Sequence, residues 1–565
     1  MRSGYLAGCL LSLFSTFAFA SPAYISPKPL LELPVQYGDV ASVRSVSVPV
    51  ITWPADMKVI HANGDQPKTA NASLFQQSSL NLSIERVDSF DTQLENFVSG
   101  KSPYLRGTLG MVLASQELLA KHNIKPVVIY QMSWSAGGDA LVVKDNIRSL
   151  ADLKGKTIAL QAYGPHVDYM ARVLKDAGIG LNEVTLKWLP DLTGTENSPA
   201  EALYQQDVDA VFVITPDALA LTSDGTVGTG AEGSVKGARI ALDTRSANRI
   251  IADVYAVRDD YLKRNPAAVE AFVSGLMQAD EQVVALMKSR AGGYDKLARG
   301  SAAVLFDSAN ATDEVAGFFA DAQLADAEAN RLFFNDSNYP RNVFKLADEI
   351  QAGLVSLGML KSAHPVQIAS WNFANLAAGV KSSGVSRNQQ FDEQKVASLV
   401  SQKQKAGTLE SDGEFSFEVL FRPNQENFST DLYGSDFAKA MDMAATYSGA
   451  IITVEGHSDP MAWLRAQKEG KSSIVLNRLK QSGKNLSYSR AREVRDAIIA
   501  YSNKAGVALD PSQFALVGYG ITNPATGICG QDPCAPKTEA QWLSNMRVVF
   551  RMIPITAEED IFKPL

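Results

Sequence analysis

Short apolar strand runs alternating with helix-period stretches, from about Val43 to Leu360, constrain the fold of this chain more than any other feature. Val46, Val48 and Val50 alternate with Ser47 and Pro49 and lead through Ile51-Thr52 to Trp53-Pro54, the pattern of a strand. Pro49 has no N–H to give to a ladder, which argues for an edge position. Asp91 to Val98 carries Leu94, Phe97 and Val98 on one face and stops at Gly100, as a helix does. The runs 127–130 and 139–143 read as further strands. Ser149 to Leu160 reads as a one-turn helix, a Lys-Gly turn and a buried strand that empties into Gln161-Ala162-Tyr163-Gly164-Pro165-His166. A helix then runs to about Ala177, with Pro165 suited to its first position. Free backbone N–H groups at such a strand–glycine–helix junction suit an anion or a dipole. The runs 186–189 and 209–214 are strands, the second closed by Thr215-Pro216-Asp217, and 253–257 is a return strand. Asn265-Pro266 starts a long amphipathic helix bearing Val269, Phe272, Val273, Leu276 and Val283. This alternation predicts an α/β domain with a largely parallel sheet.

The chain has 565 residues, too many for one core, so two or three domains are expected. Lys+Arg 53 against Asp+Glu 61 leaves a net charge of −8, which argues against nucleic acid as a partner. Arg2, an apolar run and Ala18-Phe19-Ala20 before Ser21-Pro22 read as a secretory signal peptide over 1–20, too short for a membrane anchor. Leu6-Ala7-Gly8-Cys9 imitates a lipoprotein box, but its apolar core lies on the wrong side. Cleavage leaves Cys529 and Cys534, which in an exported protein most simply close a small disulfide loop. A metal would need at least two more ligands, and the five histidines lack ligand spacing. No cofactor or metal is expected.

After Leu360 the pattern loosens. His364 to Gly379 can still be helix, and a polar linker is placed at 380–412, with a short helix near Asp392–Ser401. Residues 413–555 read as a small α+β domain. Phe415, Phe417, Val419 and Phe421 alternate as a strand, and Phe437, Ala440, Met441 and Ala444 form a helical stripe. The strand 451–454 leads into Gly456-His457-Ser458-Asp459. A helix bearing Ala491, Val494, Ile498 and Tyr501 stops at Gly506, and 514–517 and 548–550 supply the last strands. Ser487 suits a helix N-cap, which places Arg490 in the first turn, where the dipole disfavours a cation. A residue wrong for local stability points to function, yet a solvated arginine or one paired to Asp459 fits the residues equally well.

Two resemblances organise these observations. The 149–160 stretch, the run from Glu201-Ala202-Leu203 to Val208-Asp209-Ala210, and Asn265-Pro266-Ala267-Ala268-Val269 resemble periplasmic ABC-transporter-type solute-binding proteins of the nitrate, sulfonate and thiamine-precursor group. The resemblance covers 43–360, although Gln206 stands where that family often has glycine. It implies two lobes closing on a small polar ligand, crossover strands near Gly138–Val143 and Ile251–Val257, and an ABC permease as partner. Gly456-His457-Ser458-Asp459, Leu486-Ser487-Tyr488-Ser489-Arg490-Ala491, Gly518-Tyr519-Gly520 with Pro524, and Asn545-Met546-Arg547-Val548 together resemble the OmpA-like peptidoglycan-binding domain. That resemblance implies that Asp459 and Arg490 hold the diaminopimelate residue of the peptide stem, and that Cys529 and Cys534 pair as in some members. The chemistry suits the roles, carboxylate to ammonium and guanidinium fork to carboxylate. Two departures stand out: 26 residues between Asp459 and Leu486, and Met546 in place of the usual arginine. The extra stretch, around 465–484, is basic and polar and is a candidate cap or extension of the site.

The expected fold is therefore a two-lobed α/β unit followed by a small α+β OmpA-like domain. In the first unit Trp53, Tyr163, Gly164, Pro165, His166 and Asp217 fall at predicted carboxyl ends of strands, where open α/β sheets bind ligands. Taken singly, packing is the simpler explanation of each aromatic and a turn or cap that of Asp217; as a set, Tyr163 to His166 is the strongest candidate. Gly137-Gly138-Asp139 reads as a hinge-side turn. Gly228-Thr229-Gly230-Ala231-Glu232-Gly233 matches a dinucleotide fingerprint but has no strand before it. The expectation is an exported, non-catalytic solute-binding protein in the periplasm, held at peptidoglycan or the outer membrane. An enzyme on the same scaffold, or a structural wall protein without a small ligand, are the rival classes.

Overall fold

The structure is a computed structural model that describes residues 22–231, 233–383, 390–409, 413–421, 430–555 and 561–562. The signal-peptide reading of 1–20 lies outside the described residues.

Lobe 1 begins with β1 (Val46–Val50) and β2 (Leu82–Arg86), paired in parallel. Pro49 sits in β1, which bonds only β2 among the described strands, as its missing N–H requires. Helix α1 (Phe90–Val98), strand β3 (Tyr104–Thr108), the short helix α2 (Leu109–Ala114) and strand β4 (Pro126–Ser135) follow. The chain then crosses into lobe 2, built from β5 (Asp139–Val143), β6 (Thr157–Gln161), helix α3 (His166–Asp176), β7 (Thr185–Leu189), β8 (Ala210–Ile214), helix α4 (Thr215–Leu221) and β9 (Arg239–Asp243). Their order in the sheet is β7-β6-β8-β5-β9. A second crossing returns to lobe 1 through β10 (Ala252–Arg258), helix α5 (Pro266–Ser289), β11 (Ala322–Leu324), helix α6 (Val343–Ser356) and β12 (Gln367–Ile368). The lobe 1 sheet runs β11-β4-β10-β3, with β12 beside β4.

The sheets are mixed rather than largely parallel. β10 is antiparallel to β3 and β4, and β5 is antiparallel to β8 and β9. The reason is the double crossing: each passage between lobes enters the next sheet with a strand running against its neighbours. The crossings lie side by side, tied by Thr244. Its hydroxyl accepts from the N–H groups of Gly137 (3.0 Å) and Asp139 (3.1 Å) and meets the Ser135 hydroxyl at 2.8 Å. The glycine pair 137–138 is thus at the hinge, as its sequence suggests.

The two-lobed unit is longer than 43–360 at both ends. Ile25 bridges to Trp188 in lobe 2, Leu30 is buried, and Trp371 donates to the Ile129 carbonyl. His364 to Gly379 is therefore not one helix. It holds β12 and a short helix, because pairing with β4 wins over helical propensity.

Within the predicted linker, helix α7 (Glu393–Ala406) is longer than expected. It buries Val396 and Val400 against Ile451, Ala515, Val517 and Ile553, so part of the linker belongs to the C-terminal core. That domain continues with β13 (Phe415–Leu420), α8 (Thr430–Thr446), β14 (Ile451–His457), α9 (Met461–Lys468), α10 (Ser473–Lys504), β15 (Phe514–Gly520), β16 (Ile528–Cys529), β17 (Asp532–Pro533) and β18 (Arg547–Ile553). The sheet order is β13-β18-β14-β15, and Cys529 and Cys534 are disulfide-bonded across the β16–β17 loop.

The C-terminal domain packs onto the two-lobed unit. Tyr447 donates to Asp176 (2.6 Å) in lobe 2, Ser448 to Asn248 (2.6 Å) at the hinge, and the Ile555 N–H to Ser246 (3.0 Å). A Cβ on Gly449 would overlap the Arg245 carbonyl, so only glycine lets the two backbones touch there.

Candidate functional site

The carboxyl ends of β6 and β8, the start of β5 and the end of β9 form the edge of lobe 2 that faces lobe 1. β6 delivers Tyr163, whose φ of +57° is a strained left-handed conformation for an aromatic residue. Gly164 lies so close to the Gln161 side chain that a Cβ would overlap it. Pro165 is the residue before α3 rather than its first, so the helix starts one position later than expected, a boundary difference of no structural weight. His166 is fully buried; its Nε2 meets Asp139 at 2.8 Å, and its Nδ1 has no partner. Thr215-Pro216-Asp217 opens α4 rather than merely closing β8. There one Asp217 oxygen accepts from Thr193 (3.1 Å) and the other has no partner, while burial raises its pKa.

Trp53 stands opposite on lobe 1, donating its indole N–H to Ser133 at 3.0 Å and meeting Phe318 edge-on at 6.4 Å. Its ring lies where a Cβ on Gly138 would be, so the hinge glycine admits the indole. Of the six residues singled out in the sequence, Tyr163 and Gly164 line the void between the lobes and Trp53 packs against Gly138, while His166 is buried on Asp139 and Asp217 bonds Thr193. Tyr163 and Gly164 come together with Asp168 of α3, and with Gly110, Met111 and Ala114 of lobe 1 and Ile350 and Leu354 of α6, around a void of about 10 Å³. That is room for one water-sized group. The lobes are closed.

Sequence reasoning missed three carboxylates of this cleft. Asp139 was read only as part of a turn. Asp168 is 7% exposed, and its burial raises its pKa to about 8, with Glu349 and Asp139 adding to the effect. Asp321 is pushed up to about 7 by burial and by Asp139, against Arg245. An acid in the first turn of a helix is ordinary on dipole grounds, so Asp168 gave no local signal. Below the cleft, Arg106 is locked between Asp56 (2.8 Å) and Asp253 (2.9 Å), all buried.

In the C-terminal domain the close approach of helix to sheet sets the geometry. A Cβ on Gly456 would overlap the Ser487 carbonyl, and those on Gly518 and Gly520 would press on Lys484. Three glycines thus seat α10 directly on β14 and β15. The Ser487 hydroxyl accepts from the Gly520 N–H at 2.9 Å and donates to the Lys484 carbonyl at 2.8 Å. Ser487 is therefore not an N-cap. The helix runs unbroken from Ser473, so Arg490 lies in its interior and the first-turn dipole argument does not apply to it. Residues 465–484 form the end of α9, a turn at 469–472 and the first turns of α10.

Asp459 follows β14 and caps the next helix, accepting from the Met461 N–H at 3.0 Å, with its other oxygen buried and unpartnered. Burial raises its pKa. Arg490 lies over the Phe421 ring at 5.6 Å, and its pKa is lowered by burial. Among the described residues Asp459 and Arg490 form no ion pair with each other. Antiparallel β18 puts the end of β13, next to Phe421, and the end of β14, before Asp459, at the same edge of the sheet. Asn545, fully buried at that edge, bonds Thr526. His457 stacks on Tyr519 at 5.0 Å and bonds the Asn523 carbonyl.

With this geometry established, similarity to known proteins falls on the two-lobed unit. A family described as NMT1/THI5 like matches residues 117–285, a span that contains β4, all of lobe 2, β10 and most of α5. Residues 117–285 are NMT1/THI5-like. The chain is also similar to the taurine-binding periplasmic protein of Escherichia coli (strain K12), 27% identical over 249 residues, covering 43% of this chain and 68% of that protein. Among solved structures, the periplasmic aliphatic sulphonate binding protein SsuA from Escherichia coli is 16% identical, covering 59% of this chain and 96% of its own, with a TM-score of 0.38. The desulfurization enzyme DSZB is 18% identical, covering 59% and 99%, with a TM-score of 0.36.

Proposed function

We propose that this protein is a non-catalytic periplasmic solute-binding protein whose C-terminal domain holds it to peptidoglycan. The observation that supports the first half is the interlobe void beside Tyr163, Gly164 and Asp168, with Trp53 of lobe 1 packed against Gly138 between the lobes; in this reading Pro165, His166 and Asp217 belong to the same site. A small polar ligand would be taken up by opening and retained by population shift to the closed form. The taurine-binding relative favours a small zwitterion or anion, and an ABC permease would be the receiving partner. A thermal-shift measurement on the chain from residue 21 onward, with taurine and a panel of sulfonates, nitrate and small amines, tests this. Ligand-dependent stabilisation is expected, and a flat response across the panel would count against solute binding.

The tether reading rests on Asp459 and Arg490. Asp459 follows β14 and Arg490 lies over Phe421 at the end of β13, and among the described residues the two form no ion pair with each other. A diaminopimelate centre offers an ammonium to the first and a carboxylate to the second. Sedimentation with purified peptidoglycan is expected to retain the wild type and lose Asp459→Ala and Arg490→Ala. Equal retention of the variants would remove the tether.

A further inference from the structure

The charge at the cleft is of the wrong sign for a simple anion. Asp139, Asp168, Asp217 and Asp321 all sit at or beside the lobe 2 edge, and among the described residues only Asp139 has an ion-pair partner, His166. The Arg245 guanidinium is already taken by Asp243, and that of Arg172, four positions after Asp168, by Asp176, Glu349 and Asp442. Arg106 is taken by Asp56 and Asp253. A binder of sulfonate or nitrate alone would place its anion beside carboxyl groups that offer it no counter-charge, whether protonated or ionised.

The acidic cluster is not the only observation. Asp168 is buried and lines the void between the lobes. One of its oxygens accepts from the Tyr169 N–H and the other accepts from nothing. A Cβ on Gly110 would lie 3.2 Å from the Asp168 carboxylate, so the void reaches it past a residue without a side chain. The void is the size of one water or one ammonium group. His166 Nδ1 and one Asp217 oxygen are further buried atoms without partners, on residues that neighbour the void in sequence or space. A buried, unsatisfied carboxylate is costly unless a donor completes it. A protonated amine brings three donors and the opposite charge.

We propose that the interlobe cleft takes its ligand through a protonated amine, with Asp168 and Asp217 as acceptors and the Asp139–His166 pair alongside. This deepens the solute-binding reading and rests on it. Zwitterions such as taurine remain allowed, their acidic end free to meet backbone N–H groups at the start of α3. The raised pKa of Asp168 adds a signature. At pH 7 an amine would displace a proton from it, whereas an anion would not.

Matched pairs on the chain from residue 21 onward test the assignment: taurine against isethionate, ethanolamine against ethylene glycol, and putrescine against butanediol. The amines are expected to raise the melting temperature and their hydroxyl counterparts to leave it unchanged. Calorimetry in two buffers of different ionisation enthalpy should report proton release with the amines at pH 7. Asp168→Asn and Asp217→Asn should each weaken amine binding about tenfold or more. Asp168→Asn, which keeps the shape, should also abolish the proton release. If isethionate stabilises as well as taurine, the solute-binding reading stands and the amine assignment falls. Amine binding at wild-type strength in both variants would have the same meaning. If no member of the panel stabilises the chain, both fall.

Discussion

Arg172 of lobe 2 donates to Asp442 of the C-terminal domain at 2.7 Å, and the same guanidinium donates to Glu349 of lobe 1 at 2.6 Å. Its Nε completes the set with Asp176 at 2.6 Å. One buried arginine thus joins both lobes and the C-terminal domain. Burial would raise the pKa of Glu349, but Arg341 and Arg172 overcome this and hold it at about 2. The closed cleft and the docked domain share one electrostatic contact.

Removing that contact should loosen all three bodies together. Arg172→Ala leaves Glu349 short of a partner and is expected to cost about 3 kcal/mol in denaturant unfolding. Asp442→Ala removes a half-exposed partner screened by water and should cost about 1 kcal/mol or less. Limited proteolysis should cut the Arg172→Ala variant faster in the segment between the domains. Equal losses in the two variants would show that Arg172 does not hold the lobes together.

The unliganded cleft should weaken as pH rises. Asp168 and Asp321 have folded-state pKa values raised to about 8 and about 7, so the folded chain holds protons that the unfolded chain has released. Their contribution is complete below about pH 4 and is lost as pH climbs through 7 to 8. Melting temperatures from pH 5 to 9 should fall for the wild type and fall less for Asp168→Asn. Parallel curves would contradict the burial of an ionisable carboxylate there.

The C-terminal domain should respond in the opposite sense. Burial, reinforced by Arg547, lowers the pKa of His457 to about 3, so this imidazole is neutral in the folded domain and charges on unfolding. Stability from it is present above about pH 6.5 and is lost as pH falls toward 3. His457→Asn should show a flatter acid limb in fluorescence-detected unfolding, at the cost of the stacking on Tyr519.

Glycine at 456 is needed for contact rather than for a turn. A Cβ there would overlap the Ser487 backbone, which cannot move without lifting α10 from the sheet. Gly456→Ala is expected to destabilise the domain by about 2–3 kcal/mol, the cost of overpacking. It should also weaken peptidoglycan retention, because Asp459 and Arg490 are carried by the two elements forced apart. Gly434→Ala, where nothing lies near a new Cβ, is the control and should leave stability almost unchanged.

Much of the local structure was legible. The strand 139–143, the helix stripe of α5 and the alternation of Phe415, Phe417 and Val419 match the observed elements, because period and composition decide short segments. The turn at Gly137-Gly138 and the strand end at Tyr163-Gly164 were readable for the same reason: a strand that runs into glycine presents its last residues at a sheet edge. The helix start at Ser487 was misread. Ser-Tyr-Ser-Arg looks like a cap sequence, yet the polar residues before it keep helical propensity and the helix simply continues.

The sequence by itself determined the elements, the two-part division of the chain and the residues that reach each edge, since these depend on neighbours within a turn or a strand. Only the tertiary structure decided the strand directions, the closure of the cleft over Asp168, the seating of α10 on three glycines and the meeting of three bodies at Arg172. Those depend on residues far apart in the chain: 177 positions separate Arg172 from Glu349 and 270 separate it from Asp442. No local pattern records such a distance, and a buried charge becomes informative only when its partners, or their absence, are in place.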